Sequence, residues 1–357
     1  MPVTAKSISK IDMESGGRHQ FASDNTAGIC PEALAALEEA NSGHAPSYGD
    51  DQWTARLCQR VREIFETDCD VYLVCNGTAA NGLALAQLGR SFHSVLCHET
   101  AHIQTDECGA PEFFSGGSKL LLVGGRAGKI DIGAAGEIIA RQAELHAHKP
   151  RAISITQATE FGTIYTRDEV AAMVEFARRR EMFVHMDGAR FANAVASLGC
   201  APKEITWQAD VDVLSFGGTK NGTAAGEIVV FFKRELSREF DYRLKQAGQL
   251  VSKMRFLAAP WLGLLKDDVW LGNARHANKA AQNLAQRLRV EAKIDIVFPV
   301  EANAVFARMN EQTVAGLQAR GWHFYKFVEP DVYRLMCSWS TSEGDIENFV
   351  HDAKTLL

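Results

Sequence analysis

Three short segments carry residue types that could act together. Asn76-Gly77-Thr78-Ala79 sets a glycine and a hydroxyl between an apolar run, Val71 to Cys75, and a helix-forming run, Ala79 to Leu88. Free N–H groups and the positive dipole end at such a helix start suit a phosphate, although Thr is also a common helix cap. In His185-Met186-Asp187-Gly188-Ala189-Arg190 a carboxylate ends a second apolar run, and Arg190 follows three residues later. Taken alone, an Asp there is more often a helix cap or turn residue. Ser215-Phe216-Gly217-Gly218-Thr219-Lys220-Asn221-Gly222 holds a single lysine in a glycine-rich stretch, and such glycines allow a backbone to approach a ligand closely.

Together the three segments fit one cofactor, pyridoxal phosphate. That group needs a lysine for its aldehyde carbon, an acid to keep its ring nitrogen protonated and an anchor for its phosphate. Lys220, Asp187 and the Gly77-Thr78 turn supply these in turn.

A rival motif is His98-Glu99-Thr100-Ala101-His102, which fits the H-E-x-x-H pattern of zinc metallopeptidases. The pattern works only on a helix, which puts both histidines on one face. Here His98 directly follows a strand candidate, and Gly109-Ala110-Pro111 cuts any helix short. Glu107 and Glu112 are the nearest candidates for a third ligand. No metal is expected.

The elements that must position these residues alternate along the chain. Strand candidates are 71–75, 94–97, 119–123, 152–156, 182–187, 211–216 and 227–232, separated by amphipathic runs. One such run buries Trp53, Leu57, Val61, Ile64 and Phe65; another opens with the capping box Thr166-Arg167-Asp168-Glu169. Apolar strands between helices predict an α/β domain with a mainly parallel seven-stranded sheet, whose ligands gather at the strands' C-terminal ends. After about residue 255 the pattern shifts to a long helix, strands 304–309 and 333–339 and a final amphipathic helix. An N-terminal arm and large domain over 1–255 and a small α+β domain over 256–357 are expected, in line with roughly 150 residues per domain.

Composition narrows the class. A net charge of −6 offers no basic footprint for nucleic acid or anionic membrane, and 46% hydrophobic residues argue against extended disorder. No apolar run reaches the roughly 18 residues of a membrane span. Met1 to Gly17 holds no continuous apolar stretch, so no secretory leader is expected. Eight scattered cysteines without a C-x-x-C pair read as free thiols of a cytoplasmic protein.

On Ser23-Asp24-Asn25, Tyr48-Gly49-Asp50-Asp51, Asn76 to Asn81, His98 to His102, His185 to Arg190, Thr219-Lys220 and Tyr333-Arg334-Leu335, nearly the whole chain resembles the low-specificity L-threonine aldolases, including phenylserine aldolases. The resemblance implies the aspartate-aminotransferase-like fold of pyridoxal-phosphate enzymes. It makes Lys220 the Schiff-base lysine, Asp187 the partner of the ring nitrogen and His102 the stacking residue. Gly77, Thr78 and Thr219 would hold the phosphate, and Arg190 would lie near the phenolic oxygen. Ser23 and Arg334, helped by Arg190, would hold the substrate carboxylate. Arg255 resembles an arginine that reaches a phosphate in a neighbouring subunit, which implies a homodimer or homotetramer with shared active sites.

The implied activity is cleavage of a small β-hydroxy-α-amino acid to glycine and an aldehyde. A β-eliminating lyase or an aminotransferase of the same fold is the alternative, with a zinc metallopeptidase or a non-catalytic binding protein more remote. Two departures matter. The family's Ser-Asp-Thr is Ser23-Asp24-Asn25 here, and its Asn-Thr-His-Asn-Gly is Ala158-Thr159-Glu160-Phe161-Gly162. Glu160 thus replaces a histidine associated with the substrate's β-hydroxyl. Glu160 is expected to orient that hydroxyl or a water, with His102 mainly stacking; an ion pair to a neighbouring cation is the alternative role for Glu160.

Overall fold

A computed structural model describes residues 20–142 and 144–356. The segment read above for a leader, Met1 to Gly17, lies outside them. The large sheet contains β1 (Asp70–Val74), β2 (His93–His98), β3 (Lys119–Val123), β4 (Lys149–Thr156), β5 (Phe183–Gly188), β6 (Val213–Phe216) and β7 (Glu227–Phe231). Their order is β1-β7-β6-β5-β4-β2-β3, and only β7 runs against its neighbours. The mainly parallel seven-stranded sheet expected from the pattern is therefore present.

Both faces of this sheet are buried, which explains the unbroken apolar runs. In β7, Ile228 and Val230 enter the core on one face while Val229 and Phe231 enter the core on the other. The helix Gln52–Phe65 is capped by Asp51, whose carboxylate accepts from the Trp53 and Thr54 amides, both at 2.9 Å. The Thr166 capping box is formed as expected and opens the helix Arg167–Arg178. The helix Gly77–Leu88 is buried nearly all round in alanine and leucine, with Asn81 its one buried polar side chain.

The second sheet contains β8 (Asp295–Ile296), β9 (Ala304–Arg308), β10 (Tyr325–Val328) and β11 (Val332–Met336), ordered β10-β11-β9-β8 and antiparallel throughout. Sequence patterning missed β8 and β10: two residues are too few to show a period, and β10 is half exposed with Tyr325 and Lys326 outward. The chain's beginning is stitched into this unit. Phe21 donates its amide to the His323 carbonyl at 2.9 Å and accepts from the Met336 amide at 2.8 Å.

The expected boundary at 255 and 256 falls at the start of the helix Arg255–Leu265, whose Ala258, Trp261 and Leu264 belong to the large-sheet core. In the long helix Val269–Glu291, Ala274 still belongs to that core, whereas Ala280, Leu284 and Leu288 belong to the small-sheet core. We propose that the two domains divide within this helix. All eight cysteines are unpaired thiols, and no described helix is long and apolar enough to cross a membrane.

The glycines before Lys220 have a reason that sequence patterning did not foresee. A Cβ on Gly217 would lie 2.4 Å from the Ala189 carbonyl oxygen, and one on Gly218 would lie 2.4 Å from the Trp261 ring. Trp261 cannot retreat easily, since it is fully buried and its indole N–H donates to the Gly226 carbonyl at 2.8 Å. Both glycines thus meet a packing demand beneath the lysine turn, and Gly217 also lines the cavity described below. Gly218→Ala should cost about 1–3 kcal/mol through overpacking, and urea unfolding of the variant against wild type measures it.

Candidate active site

The C-terminal ends of β1, β5 and β6 converge on one cavity of about 310 Å³, the size range of small-ligand sites. Asn76, Gly77, Thr78 and Asn81 line it from the first helix start, together with His102, Asp187, Thr219 and Lys220. Asn76 is the true helix cap, accepting from the Ala79 amide at 2.9 Å, so the Thr78 hydroxyl is not consumed in capping. Gly77 and Thr78 occupy the first turn, where the helix has no carbonyls for its own N–H groups. A Cβ placed on Gly77 would meet nothing within 4 Å, so the helix start opens onto free space. These features fit a phosphate.

Asp187, the fifth residue of β5, is 3% exposed. Its Oδ1 accepts from the Ala189 amide at 3.0 Å and its Oδ2 from the Asn81 side chain at 3.0 Å. Both oxygens are held, so the carboxylate has a set orientation. Two residues back, His185 bonds Ser154 at 2.8 Å and Ser215 at 3.0 Å. Burial pushes its imidazole down to about 4, which keeps it neutral beneath the site at physiological pH. Lys220 stands in a single helical turn, Thr219–Asn221, just after β6.

His102 opens the short helix His102–Thr105. Its Nδ1 lies 2.8 Å from Glu107 Oε1, and this hydrogen bond raises the imidazole above its ordinary pKa despite partial burial. His98 belongs to β2 instead, and its ring nitrogens engage Thr100 Oγ1 at 2.8 Å and the Gly125 carbonyl at 3.2 Å. The two histidines do not share a helix face, so the geometry that the H-E-x-x-H pattern requires is not met.

The remaining anticipated residues, Ser23, Glu160, Arg190, Arg255 and Arg334, are not among those that line the cavity. Arg190 grips Asp24 in a two-pronged ion pair, Nε to Oδ2 at 2.7 Å and Nη2 to Oδ1 at 3.0 Å. Burial opposes charge on Asp24, but the charges of Arg190 and Lys220 outweigh it and hold the carboxyl at about 2. Two arms of the Arg190 fork are thus occupied, which reduces its capacity to help with a substrate carboxylate. Ser23 caps the Asp24–Thr26 turn, accepting from the Asn25 amide at 3.1 Å.

Arg334 projects from β11 near Glu160, Nη1 to Oε2 at 3.8 Å, with its guanidinium 4.8 Å from the Phe327 ring centroid. Burial, then the Arg190 charge, lowers its pKa. Its Nε is buried with no hydrogen-bond partner among the described residues. An unsatisfied donor on a buried cation is a ready binding point for a carboxylate. Arg255 is not brought to this cavity within its own chain; it donates to the Gly43 carbonyl at 3.4 Å.

Residue patterning gave no role to three groups here, Asn81, Asp24 and Glu227, and considered a fourth, Glu107, only as a metal ligand. Asn81 was visible as a lone amide in an alanine-leucine helix, and Glu107 as a carboxylate five residues past His102. Asp24 sits inside a quoted motif. Glu227, which opens β7 and accepts from the Gly218 amide at 2.5 Å, braces the lysine turn from a neighbouring strand. Only the folded sheet reveals that last contact.

Residues 20–312 match the family described as beta-eliminating lyase. The low specificity L-threonine aldolase of Pseudomonas aeruginosa is 54% identical over 338 residues, covering 95% of this chain and 98% of that protein. The chain belongs to the beta-eliminating lyase family, with the low-specificity L-threonine aldolases. A second such aldolase, from a Pseudomonas strain, is 53% identical with the same coverage. The structure of the Leishmania major threonine aldolase aligns with a TM-score of 0.90 at 26% identity, covering 95% of this chain and 99% of that one. The aspartate-aminotransferase-like fold expected from the resemblance is therefore the fold observed.

Because Arg190 is buried, removing its partner strands a charge. Asp24→Ala should destabilise the protein by about 3–5 kcal/mol in urea unfolding. With a folded value of about 2 against an ordinary 3.8, the stabilisation from Asp24 ionisation is complete above about pH 4 and lost as pH falls toward 2. The stability gap between wild type and Asp24→Asn should shrink across that window; a pH-independent gap would contradict the assignment.

Proposed function

We propose that the protein is a pyridoxal-phosphate-dependent aldolase that cleaves L-β-hydroxy-α-amino acids of the threonine or phenylserine type to glycine and an aldehyde. The observation that carries this reading is the meeting of Lys220, Asp187, His102 and the Gly77-Thr78 helix start on one cavity. Membership among low-specificity L-threonine aldolases supports the reaction class.

When bound, pyridoxal phosphate supplies the electron sink that lets a carbon–carbon bond beside the amino acid's α-carbon break. Lys220 would bond its aldehyde carbon, Asp187 would hold the proton on its ring nitrogen, and His102 would stack on its ring. The first-turn N–H groups of Gly77 and Thr78, with the Thr78 and Thr219 hydroxyls, would hold its phosphate. Arg190 would approach its phenolic oxygen with the terminal nitrogen that Asp24 leaves free.

Arg334 binds the substrate carboxylate through its unpartnered Nε, with Ser23 as a second donor. A carboxylate pinned there fixes which bond at the α-carbon stands ready for cleavage, and a fixed orientation can contribute many orders of magnitude in rate. Glu160, held beside Arg334, orients the β-hydroxyl or a water that receives its proton. Arg255 reaches a phosphate in a neighbouring copy, so the enzyme works as a homodimer or homotetramer. It resides in the cytoplasm, a placement supported by eight unpaired thiols.

Product analysis with threonine and phenylserine tests the reading. Glycine plus acetaldehyde or benzaldehyde is expected, and release of ammonia with a 2-oxo acid would overturn it in favour of β-elimination. Lys220→Ala should lose essentially all turnover. Arg334→Ala should raise KM strongly and lower kcat, since the carboxylate grip acts in both ground and transition states; an unchanged KM would move that grip elsewhere. Glu160→Gln should lower kcat while leaving glycine binding nearly intact, and full activity would remove Glu160 from the proton's path.

A further inference from the structure

We propose that Glu107 is a positioning residue of this active site: it sets the tautomer and charge of His102 and, through Asn81, ties that charge to Asp187. The consequence for turnover rests on the proposed function, whereas the link between Glu107 and His102 stands on geometry alone.

Glu107 is 2% exposed, and its Oε1 lies 2.8 Å from His102 Nδ1. A carboxylate is an acceptor, so Nδ1 must carry the hydrogen, and Nε2 is left as the nitrogen that gains or loses a proton. The same Oε1 accepts from Asn81 Nδ2 at 2.8 Å, and that amide nitrogen also donates to Asp187 Oδ2 at 3.0 Å. One NH₂ group therefore uses both hydrogens to hold two buried carboxylates that would otherwise repel each other. The chain His102–Glu107–Asn81–Asp187 links the imidazole bordering the cavity to the carboxylate assigned to the ring nitrogen.

The other Glu107 oxygen, Oε2, is buried with no hydrogen-bond partner among the described residues. All compensation for the carboxylate's charge thus passes through Oε1. A buried charge paired on one side only depends strongly on its partner, so an ionised Glu107 favours a protonated His102. The other charged groups facing His102 are Asp187 from β5 and Glu160 from the loop after β4, which also favour the proton, and Lys220 from the turn after β6, which opposes it. Glu107 is the one in direct contact. Its action is indirect, through the imidazole, as an outer carboxylate orients a histidine in a catalytic triad or a metal site.

The test is the titration of His102, followed by NMR in protein carrying ¹³C-labelled histidine, loaded with pyridoxal phosphate. A His102→Asn sample assigns the resonance by subtraction. Wild type should hold the His102 proton above the ordinary imidazole range. Glu107→Gln should lower the midpoint by about one pH unit or more, the size of a nearby-charge effect. Glu107→Asp, which keeps the charge one methylene further back, should recover part of the shift, and it supplies the decisive comparison if Glu107→Gln does not fold. An unchanged midpoint in Glu107→Gln, or an Asp variant whose midpoint falls as low as the Gln variant's, overturns the proposal. In turnover, Glu107→Gln should lower kcat and displace the acidic limb of its pH profile while leaving KM within about twofold, because Arg334 is untouched. Failure of the aldolase reading would appear in the products of the wild-type enzyme and leave the His102 titration unaffected.

Discussion

The buried pair between Arg190 and Asp24 is the contact on which the site's assembly depends. Arg190 follows β5 and so belongs to the sheet that carries Asp187 and Lys220. Asp24 belongs to the N-terminal arm, which is stitched to the small sheet through Phe21. Asn303, just before β9, donates to Asp24 at 3.0 Å and to the Cys337 carbonyl at 2.7 Å. One carboxylate therefore binds the large sheet, the arm and the small sheet at a single buried point. The small sheet also carries Arg334, which lies 3.8 Å from Glu160 in the loop after β4 of the large sheet.

This arrangement divides the chemistry between two units. The large sheet carries the groups proposed to hold a flat, anionic cofactor: a helix start, an oriented carboxylate and a lysine turn braced by Glu227 and Trp261. The small sheet carries Arg334, the cation proposed to read the substrate. A substrate bound as proposed would be gripped from both sides, and its orientation would then select the bond to be cleaved. The charges are also balanced in pairs, Asp24 with Arg190, Glu160 with Arg334 and Glu107 with His102, so that each buried group answers to a neighbour.

Much of this was legible in the residues, and the limits have physical causes. The seven buried strands announced themselves as apolar runs, and Asp187 and Lys220 stood out because each follows such a run. Boundaries shifted by a residue or two at most strands, and by three at the start of β4 and the end of β11, because chain ends fray without changing the apolar period. The packing demand on Gly218 from Trp261, some forty residues away, leaves no local trace in the sequence, whereas Gly217 does line the cavity. Glu227 and Asn303 left no such trace for the same reason: their partners, Gly218 for one and Asp24 and Cys337 for the other, lie in other segments of the chain. Glu160 was read in two ways, and its position beside Arg334 makes the ion pair a fact of the structure while its part in the reaction remains the proposal.

Every role proposed for the cavity depends on Lys220 being the residue that bonds the cofactor's aldehyde carbon. Reduction of the pyridoxal-phosphate-loaded protein with borohydride, followed by digestion and peptide mapping, tests it most directly. The account predicts a single pyridoxyl-modified lysine in the peptide containing Thr219, Lys220 and Asn221. Modification at any other lysine, with Lys220 unmodified, would contradict it.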